Sequence, residues 1–132
     1  MTYRSKLGQL GENIACRYLV KNNYKIIERN FRQKWGEIDI IAKAKDKTLV
    51  FVEVKTVRDV EKLHTVNEND NQISAEDQLT KLKLSKLQRT ASLYAGHNQE
   101  LVNDKIGWRI DLLALTLLEN RYVIKHYKNI IL

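Results

Sequence analysis

A chain of 132 residues with a net charge of +7 and one cysteine, Cys16, is long enough for one domain with its own core and forms no internal disulfide. No apolar run approaches the roughly 18 residues of a membrane helix, and the opening "MTYRSKLGQLGE" lacks an apolar signal core. The excess of 23 basic over 16 acidic residues favours a polyanionic partner, nucleic acid being the common one, and a lone thiol suits a reducing cytoplasm.

Residues 4–22 have a helical period, with Leu7, Leu10, Ile14 and Tyr18 on one stripe and a stop at Asn22-Asn23. "YKIIERNF" (24–31) and "EIDIIAKA" (37–44) predict two strands, "KDK" (45–47) a turn, and "TLVFVEVKT" (48–56) a third strand rich in β-branched residues. Residues 57–73 are polar and aperiodic, which predicts a long mobile loop of a kind that often serves function. "SAED" (74–77) has capping-box spacing from Ser74 to Asp77 and predicts a helix to about Tyr94. After a loop at 98–107, "WRIDLLALTL" (108–117) and "YVIKHYKNII" (122–131) predict two more strands joined at "ENR". The order αβββαββ predicts a single α/β domain over 1–132, a mixed central sheet flanked by helices.

Charges interrupt the apolar strands. In the third strand Val50, Val52 and Val54 share one face; Leu49, Phe51, Glu53 and Lys55 share the other, which turns charged only at its C-terminal end. That pattern sets Glu53 and Lys55 at the mouth of a buried sheet, where sites tend to lie. In the second strand Ile38 and Ile40 share one face, and Glu37, Asp39 and Ile41 the other. Asp39 stands opposite Glu53 only if the hairpin centres on Asp46, with an odd loop such as Lys45–Lys47 and Lys47 in the left-handed region. A two-residue loop would set Glu53 opposite Ile40.

Glu12 falls about 20° beyond Leu19 on the helical wheel, at the edge of the apolar stripe. Gly8 and Gly11 stand on the same side, and each mid-helix glycine costs about 1 kcal/mol relative to alanine, which suggests close approach to a strand or a substrate. Taken from the helix alone, Glu12 reads as a solvated edge. Two carboxylates about 4 Å apart repel by about 4 kcal/mol at an effective dielectric near 20, so a cluster persists with a cation in it or a proton taken up. Oxygen donors suit Mg²⁺ or Mn²⁺, while His64, His97 and His126 are too scattered for zinc. The alternative is a salt-bridge network of Glu53, Lys55 and Arg109, and the residues alone leave both open.

The second helix is basic. Lys81, Lys83, Lys86 and Arg89 fall within nine residues, and Lys83 and Lys86 are neighbours on one face. Leu84, Leu87, Ala91 and Tyr94 form its apolar stripe. Arg29, Arg32 and Lys34 precede the strand charges and could grip phosphates. Arg109 alternates with Asp111, which fits either a phosphate contact or a buried ion pair. Trp35 and Trp108 fit packing better than base stacking, and Cys16 reads as a small packed residue.

The blocks "GxxGExxAxxYL", "RNxRxxxGEIDIIA", "LVFVEVKT" and "RIDLLAL", in that order, resemble the YraN-like bacterial proteins (uncharacterised protein family 0102). That family is assigned to the PD-(D/E)xK nuclease superfamily, similar in fold to archaeal-type Holliday junction resolvases. The resemblance implies a restriction-endonuclease-like core. It makes Asp39 the metal aspartate, Glu53 and Lys55 the E-x-K pair, Glu12 the helix carboxylate and Glu37 a secondary member. Ile38 stands where the superfamily often has proline, and Val57 where most relatives have arginine. The implied activity is hydrolysis of DNA, branched or single-stranded forms included. Mg²⁺ or Mn²⁺ would be held by Asp39, Glu53 and the Val54 carbonyl, with Glu12 acting through water or on a second ion. Lys55 would orient the water or stabilise developing charge. Relatives carry a lysine near Lys86, which makes it, with Lys83, Arg32 and Lys34, a candidate for holding the strand. Resolvase-like relatives pair as dimers, which admits a homodimer here. The rival expectations are a non-catalytic nucleic-acid-binding module and a protein-interaction domain that docks through 57–73.

Overall fold

The short apolar runs of the sequence become the strands of one five-stranded sheet. The computed structural model describes residues 3–58 and 80–130. Its elements are α1 (Tyr3–Lys21), β1 (Lys25–Gln33), β2 (Gly36–Lys43), β3 (Leu49–Arg58), α2 (Lys81–His97), a 3-10 turn (Gln99–Leu101), β4 (Trp108–Leu117) and β5 (Tyr122–Tyr127). The strands lie in sequence order. The first three form an antiparallel meander, β3 pairs with β4 in parallel, and β4 with β5 antiparallel. A parallel step needs a crossover, and the chain carrying α2 supplies it.

The sheet is mixed and covered on both faces. Under α1 lie Ile40, Ala42, Val50, Val52, Leu113 and Leu115. Under α2 lie Ile38, Ile41, Leu49, Phe51 and Ile110. Burial on both sides is why "LVFV" reads as a continuous apolar run. The α/β class expected from the element order is the class observed.

The β2–β3 hairpin has the odd loop. Ile40 pairs with Val52, Ile41 with Phe51, Ala42 with Val50 and Lys43 with Leu49. The Ala44 N–H donates to the Thr48 carbonyl at 2.9 Å. Lys47 takes the left-handed conformation at φ 76°. The Asp46 carboxylate accepts from the Thr48 amide at 3.0 Å and its hydroxyl at 2.6 Å, so an Asx-type contact stabilises a turn that lacks glycine.

Several expectations need correction. Leu10 is 40% exposed, while Glu12, Ile14, Ala15 and Leu19 are buried. The helix is turned by the contact of Gly11 with β3: a Cβ there would collide with the Thr56 hydroxyl and lie 2.8 Å from its Cβ. Gly8 has nothing within 4 Å of its own Cβ position, so only one of the two glycines marks a close approach. Ile38 and Ile40 do not share a face, because Ile38 packs under α2 and Ile40 under α1. Across from them Asn30 sits at φ 52°, between Arg29, paired with Ile40, and Phe31, paired with Ile38; a left-handed residue inside a strand interrupts the alternation.

Val57 and Arg58 extend β3 and pair with Thr116 and Leu117, so the expected loop does not start at 57. The rest of that loop and the Ser74–Asp77 capping box lie outside the described residues. The described helix is capped by Thr80, whose side chain accepts from the Lys83 N–H at 3.2 Å. β5 stops at Tyr127, short of 131, because the chain turns at Asn129, at φ 55°, and its amide donates to Asp111 Oδ1 at 2.9 Å. Trp108 packs edge-on against Phe51 with ring centroids 5.5 Å apart. Among the described residues no helix is long and apolar enough to cross a membrane.

Candidate active site

Asp39 lies one residue beyond the last pair of the β2–β3 ladder, Ile40 with Val52. Its carboxylate reaches across the opening and accepts the Val54 N–H at 2.8 Å. The side chain of one strand thus replaces the ladder bond of the other. This tie holds the aspartate near Glu53; the odd loop and its register are as expected, but Asp39 and Glu53 are not themselves a ladder pair.

Asp39 also lies between two clefts. On the α2 side a cleft of about 600 Å³ is lined by Asp39, Glu53, Lys34, Trp35, Lys83 and Lys86, with Arg89 and Thr90 beyond. On the α1 side a cleft of about 440 Å³ is lined by Asp39, Glu12, Arg29, Arg32, Ser5 and Val54. The first is of the size of a small-molecule or nucleotide site. Its narrow wall depends on Gly36: a Cβ there would collide with the Thr90 hydroxyl and lie 2.9 Å from the Thr90 Cβ.

The carboxylates hold their protons more tightly than ordinary ones. Burial, and then the charge of Asp39, push Glu53 up to about 7. Burial raises Asp39, against the hydrogen bond from Val54, with Glu37 adding to the rise. Burial and Asp39 raise Glu12, with Arg29 opposing. Lys55 is lowered, first by burial and then by the Lys83 side chain beside it. Acids pressed upward and a lysine pressed downward describe a site where burial outweighs the opposite charges present.

The residues present fit a divalent cation in part. Asp39 and Glu53 supply hard oxygen donors on adjacent strands, and each destabilises the other's charge. Glu12 shares the α1-side cleft with Asp39 but not the α2-side cleft with Glu53. Its Oε1 accepts from Arg29 Nε at 3.4 Å, on the α1 side of the sheet. Among the described residues no three or more His, Cys, Asp and Glu side chains are gathered closely enough to hold a metal ion. Glu12 is nevertheless buried and not the solvated edge that its helix alone suggested.

Lys83 and Lys86 are brought into the cleft with Glu53 and Lys34. Arg89, one helical step beyond Lys86, joins them, a position the i, i+3 spacing already contained. Arg32 and Glu37 face each other across the β1–β2 hairpin and form an ion pair at 2.8 Å, both side chains 67% exposed. Such a pair adds little stability, and Glu37 remains at the exposed edge of the cleft that Asp39 and Glu53 line. Trp35 is 38% exposed and lines the cleft, packed on one side by Phe31 with centroids 5.6 Å apart. Cys16 is buried and its thiol is pushed up by burial, in keeping with a packed residue.

Arg109 belongs to neither cleft. Its Nε donates to Asp111 Oδ1 at 3.0 Å and its Nη2 to Asp111 Oδ2 at 3.4 Å and Tyr24 Oη at 3.1 Å. His126 Nε2 lies 2.8 Å from Asp111 Oδ2. Burial alone would raise Asp111, but the hydrogen bonds from His126, the Asn129 amide and Arg109 hold it below the ordinary range. The network of Glu53, Lys55 and Arg109 weighed from the sequence therefore does not form. Arg109 is in register with Val50, so it faces α1, while Glu53 and Lys55 face α2.

The profile of the Uncharacterised protein family UPF0102 matches residues 11–115, a span that includes Glu12, Asp39, Glu53, Lys55, Lys83 and Lys86. A UPF0102 protein of Clostridium botulinum is 37% identical over 132 residues, covering 98% of this chain and 97% of the relative. One of Corynebacterium efficiens is 33% identical over 131 residues, covering 98% and 94%. One of Campylobacter jejuni is 42% identical over 108 residues, covering 82% and 81%.

Proposed function

The chain belongs to the uncharacterised protein family UPF0102, and from that premise we propose that it is a divalent-cation-dependent nuclease acting on DNA. The observation that carries the proposal is the pair of half-buried carboxylates, Asp39 and Glu53, on adjacent strands at the wall of a lysine-lined cleft. Mg²⁺ or Mn²⁺ would be held by Asp39 and Glu53 and would relieve their repulsion, with Glu12 as a candidate third carboxylate. When bound, the cation supplies a Lewis acid for a phosphate oxygen and lowers the pKa of a water.

The chain's own residues do the rest. The Val54 amide fixes the Asp39 carboxylate, so one oxygen stays aimed while the other is free to ligate. Lys55 and Lys83 crowd each other, and the crowding helps lower Lys55. A phosphate oxygen between two such ammonium groups relieves that strain, which suits Lys55 to stabilising charge on phosphorus oxygens. Lys34, Lys83 and Lys86 line the cleft beside it and hold the strand through its phosphates.

A panel of flap, junction, single-stranded and linear duplex DNA, incubated with Mg²⁺ or Mn²⁺, tests the proposal. Cleavage by the parent and none by Asp39→Asn supports it. The absence of a gathered three-group cluster among the described residues favours one second reading, a nucleic-acid-binding module on the same fold without turnover. Salt-sensitive DNA binding that is indifferent to metal, with no cleavage of any substrate, would select that module.

A further inference from the structure

At the turn end of the β2–β3 hairpin, on the α1 side and away from Asp39, lies a third cleft, of about 320 Å³. Four separate segments build it. The end of α1 and the turn after it give Tyr18, Asn22 and Tyr24; the hairpin turn gives Lys45 and Asp46; β4 gives Arg109; and the end of β5 gives His126 and Lys128.

Its cations are held in different ways. Arg109 is fixed, its side chain only 18% exposed and its Nε and Nη2 bound to the fully buried Asp111. Asp111 is held in turn by His126 Nε2 and the Asn129 amide. A carboxylate only accepts, so His126 carries its proton on Nε2, and its Nδ1, 3.0 Å from Tyr18 Oη, accepts from that hydroxyl. Ring and guanidinium are therefore positioned before any ligand arrives. Arg109 Nη1 has no protein partner among the described residues, and Tyr24, whose oxygen accepts from Arg109 Nη2, keeps its own proton to donate. Lys45 and Lys128 add two exposed ammonium groups at the rim. The one lining carboxylate, Asp46, is bound by its own turn through Thr48.

We propose that this cleft is a second anion site, one that binds a phosphomonoester through Arg109, Lys45, Lys128 and the Tyr24 hydroxyl. Cations converging from three segments match a tetrahedral dianion better than a planar carboxylate, and a fixed guanidinium with mobile lysines is a usual phosphate-binding set. The volume admits a phosphate with its sugar and no duplex. The shared chemistry has two sources, a free phosphate or mononucleotide and the terminal phosphate of a nucleic-acid strand. The site is separate from the carboxylates and does not rest on their proposed activity.

The test uses the full chain carrying Asp39→Asn, without divalent metal, so hydrolysis does not enter. Inorganic phosphate and adenosine 5′-monophosphate are titrated at constant ionic strength against chloride, and amide and Arg Nε–H resonances are followed by NMR. Saturable shifts centred on Arg109, Tyr24 and residues 45–46 and 128 are expected. The exposed pair Lys45→Ala and Lys128→Ala should weaken them at least tenfold with the melting temperature unchanged. A 5′-phosphorylated single-stranded oligonucleotide compared with its 5′-hydroxyl twin identifies the source. Tighter binding of the phosphorylated strand, abolished in the double variant, assigns the strand end; a response to the small phosphates with no difference between strands assigns the free ligand. No saturable response to any probe, or one that the double variant retains in full, overturns the proposal.

Discussion

Asp39 accepts the Val54 amide at 2.8 Å, so the carboxylate at the end of one strand completes the ladder of its neighbour. The same bond gives the aspartate a structural duty besides its proposed ligand role, and the two duties separate by substitution. Asp39→Asn keeps an acceptor oxygen and removes a charge that repels Glu53. Asp39→Ala leaves the Val54 N–H without its partner, which costs about 1–3 kcal/mol when the group is buried. Urea denaturation without metal should therefore rank Asn at or above the parent and Ala below both. Equal loss in the two variants would mean the hydrogen bond is not what holds the strands there.

Lys83 and Lys86 enter the larger cleft beside Glu53. Replacing both with alanine should weaken DNA binding for every sequence alike. It should also reduce the slope of log affinity against log salt by up to about 2, near 0.9 for each phosphate that is no longer neutralised. An unchanged slope would place the strand on another surface.

The core network around Asp111 should contribute to the acid limb. Its folded value is lowered from the ordinary 3.8. The unfolded chain takes up a proton that the folded carboxylate refuses, so this contribution is full above about pH 5 and fades as pH falls through the lowered value. Asp111→Asn leaves Arg109 without its carboxylate, and breaking a buried pair in this way costs about 3–5 kcal/mol. Denaturation at pH 7 should show that loss, and stability between pH 5 and pH 3 should fall less steeply in the variant than in the parent. Parallel curves would take Asp111 out of the acid transition.

Gly11 is needed for close packing and not for flexibility. Alanine there gains about 1 kcal/mol of helix propensity but meets Thr56, whose Cβ would lie 2.8 Å away. Overpacking of this kind typically costs about 1–3 kcal/mol. Gly11→Ala should be less stable than the parent, and Gly8→Ala, with open space around it, more stable. The reverse order would remove the α1–β3 contact as the constraint that turns Glu12 inward.

The hairpin that carries the site was legible because parity is strict: Asp39 beside Glu53 demanded an odd loop, and Lys47 accepted the left-handed position. The stripe of α2 was legible for a similar reason, since Leu84, Leu87, Ala91 and Tyr94 are buried at helical spacing. The exchange of faces between Ile38 and Ile40 was not, because it accompanies a left-handed Asn30 on the neighbouring strand, and asparagine, though favoured there, adopts ordinary extended backbone as well. Leu10 misled for want of the Thr56 contact, which is 45 positions away from Gly11 in the chain. The partners of Arg109 came from three elements, Tyr24 after α1, Asp111 on β4 and, behind it, His126 on β5. Only the Asp111 pairing was within reach of strand spacing.

The most direct test of the central claim is the thermal melting of the parent and Glu53→Gln, each with and without Mn²⁺ at constant ionic strength. Glutamine keeps the shape and removes the charge that burial and Asp39 oppose. Without metal the variant should melt at the same temperature as the parent or higher. With metal the parent should rise, by the equivalent of about 2.7 kcal/mol at a hundred times Kd, and the variant should lose most of that rise. A variant that melts lower than the parent without metal, together with no response of either protein to Mn²⁺, would contradict a cation site at Asp39 and Glu53.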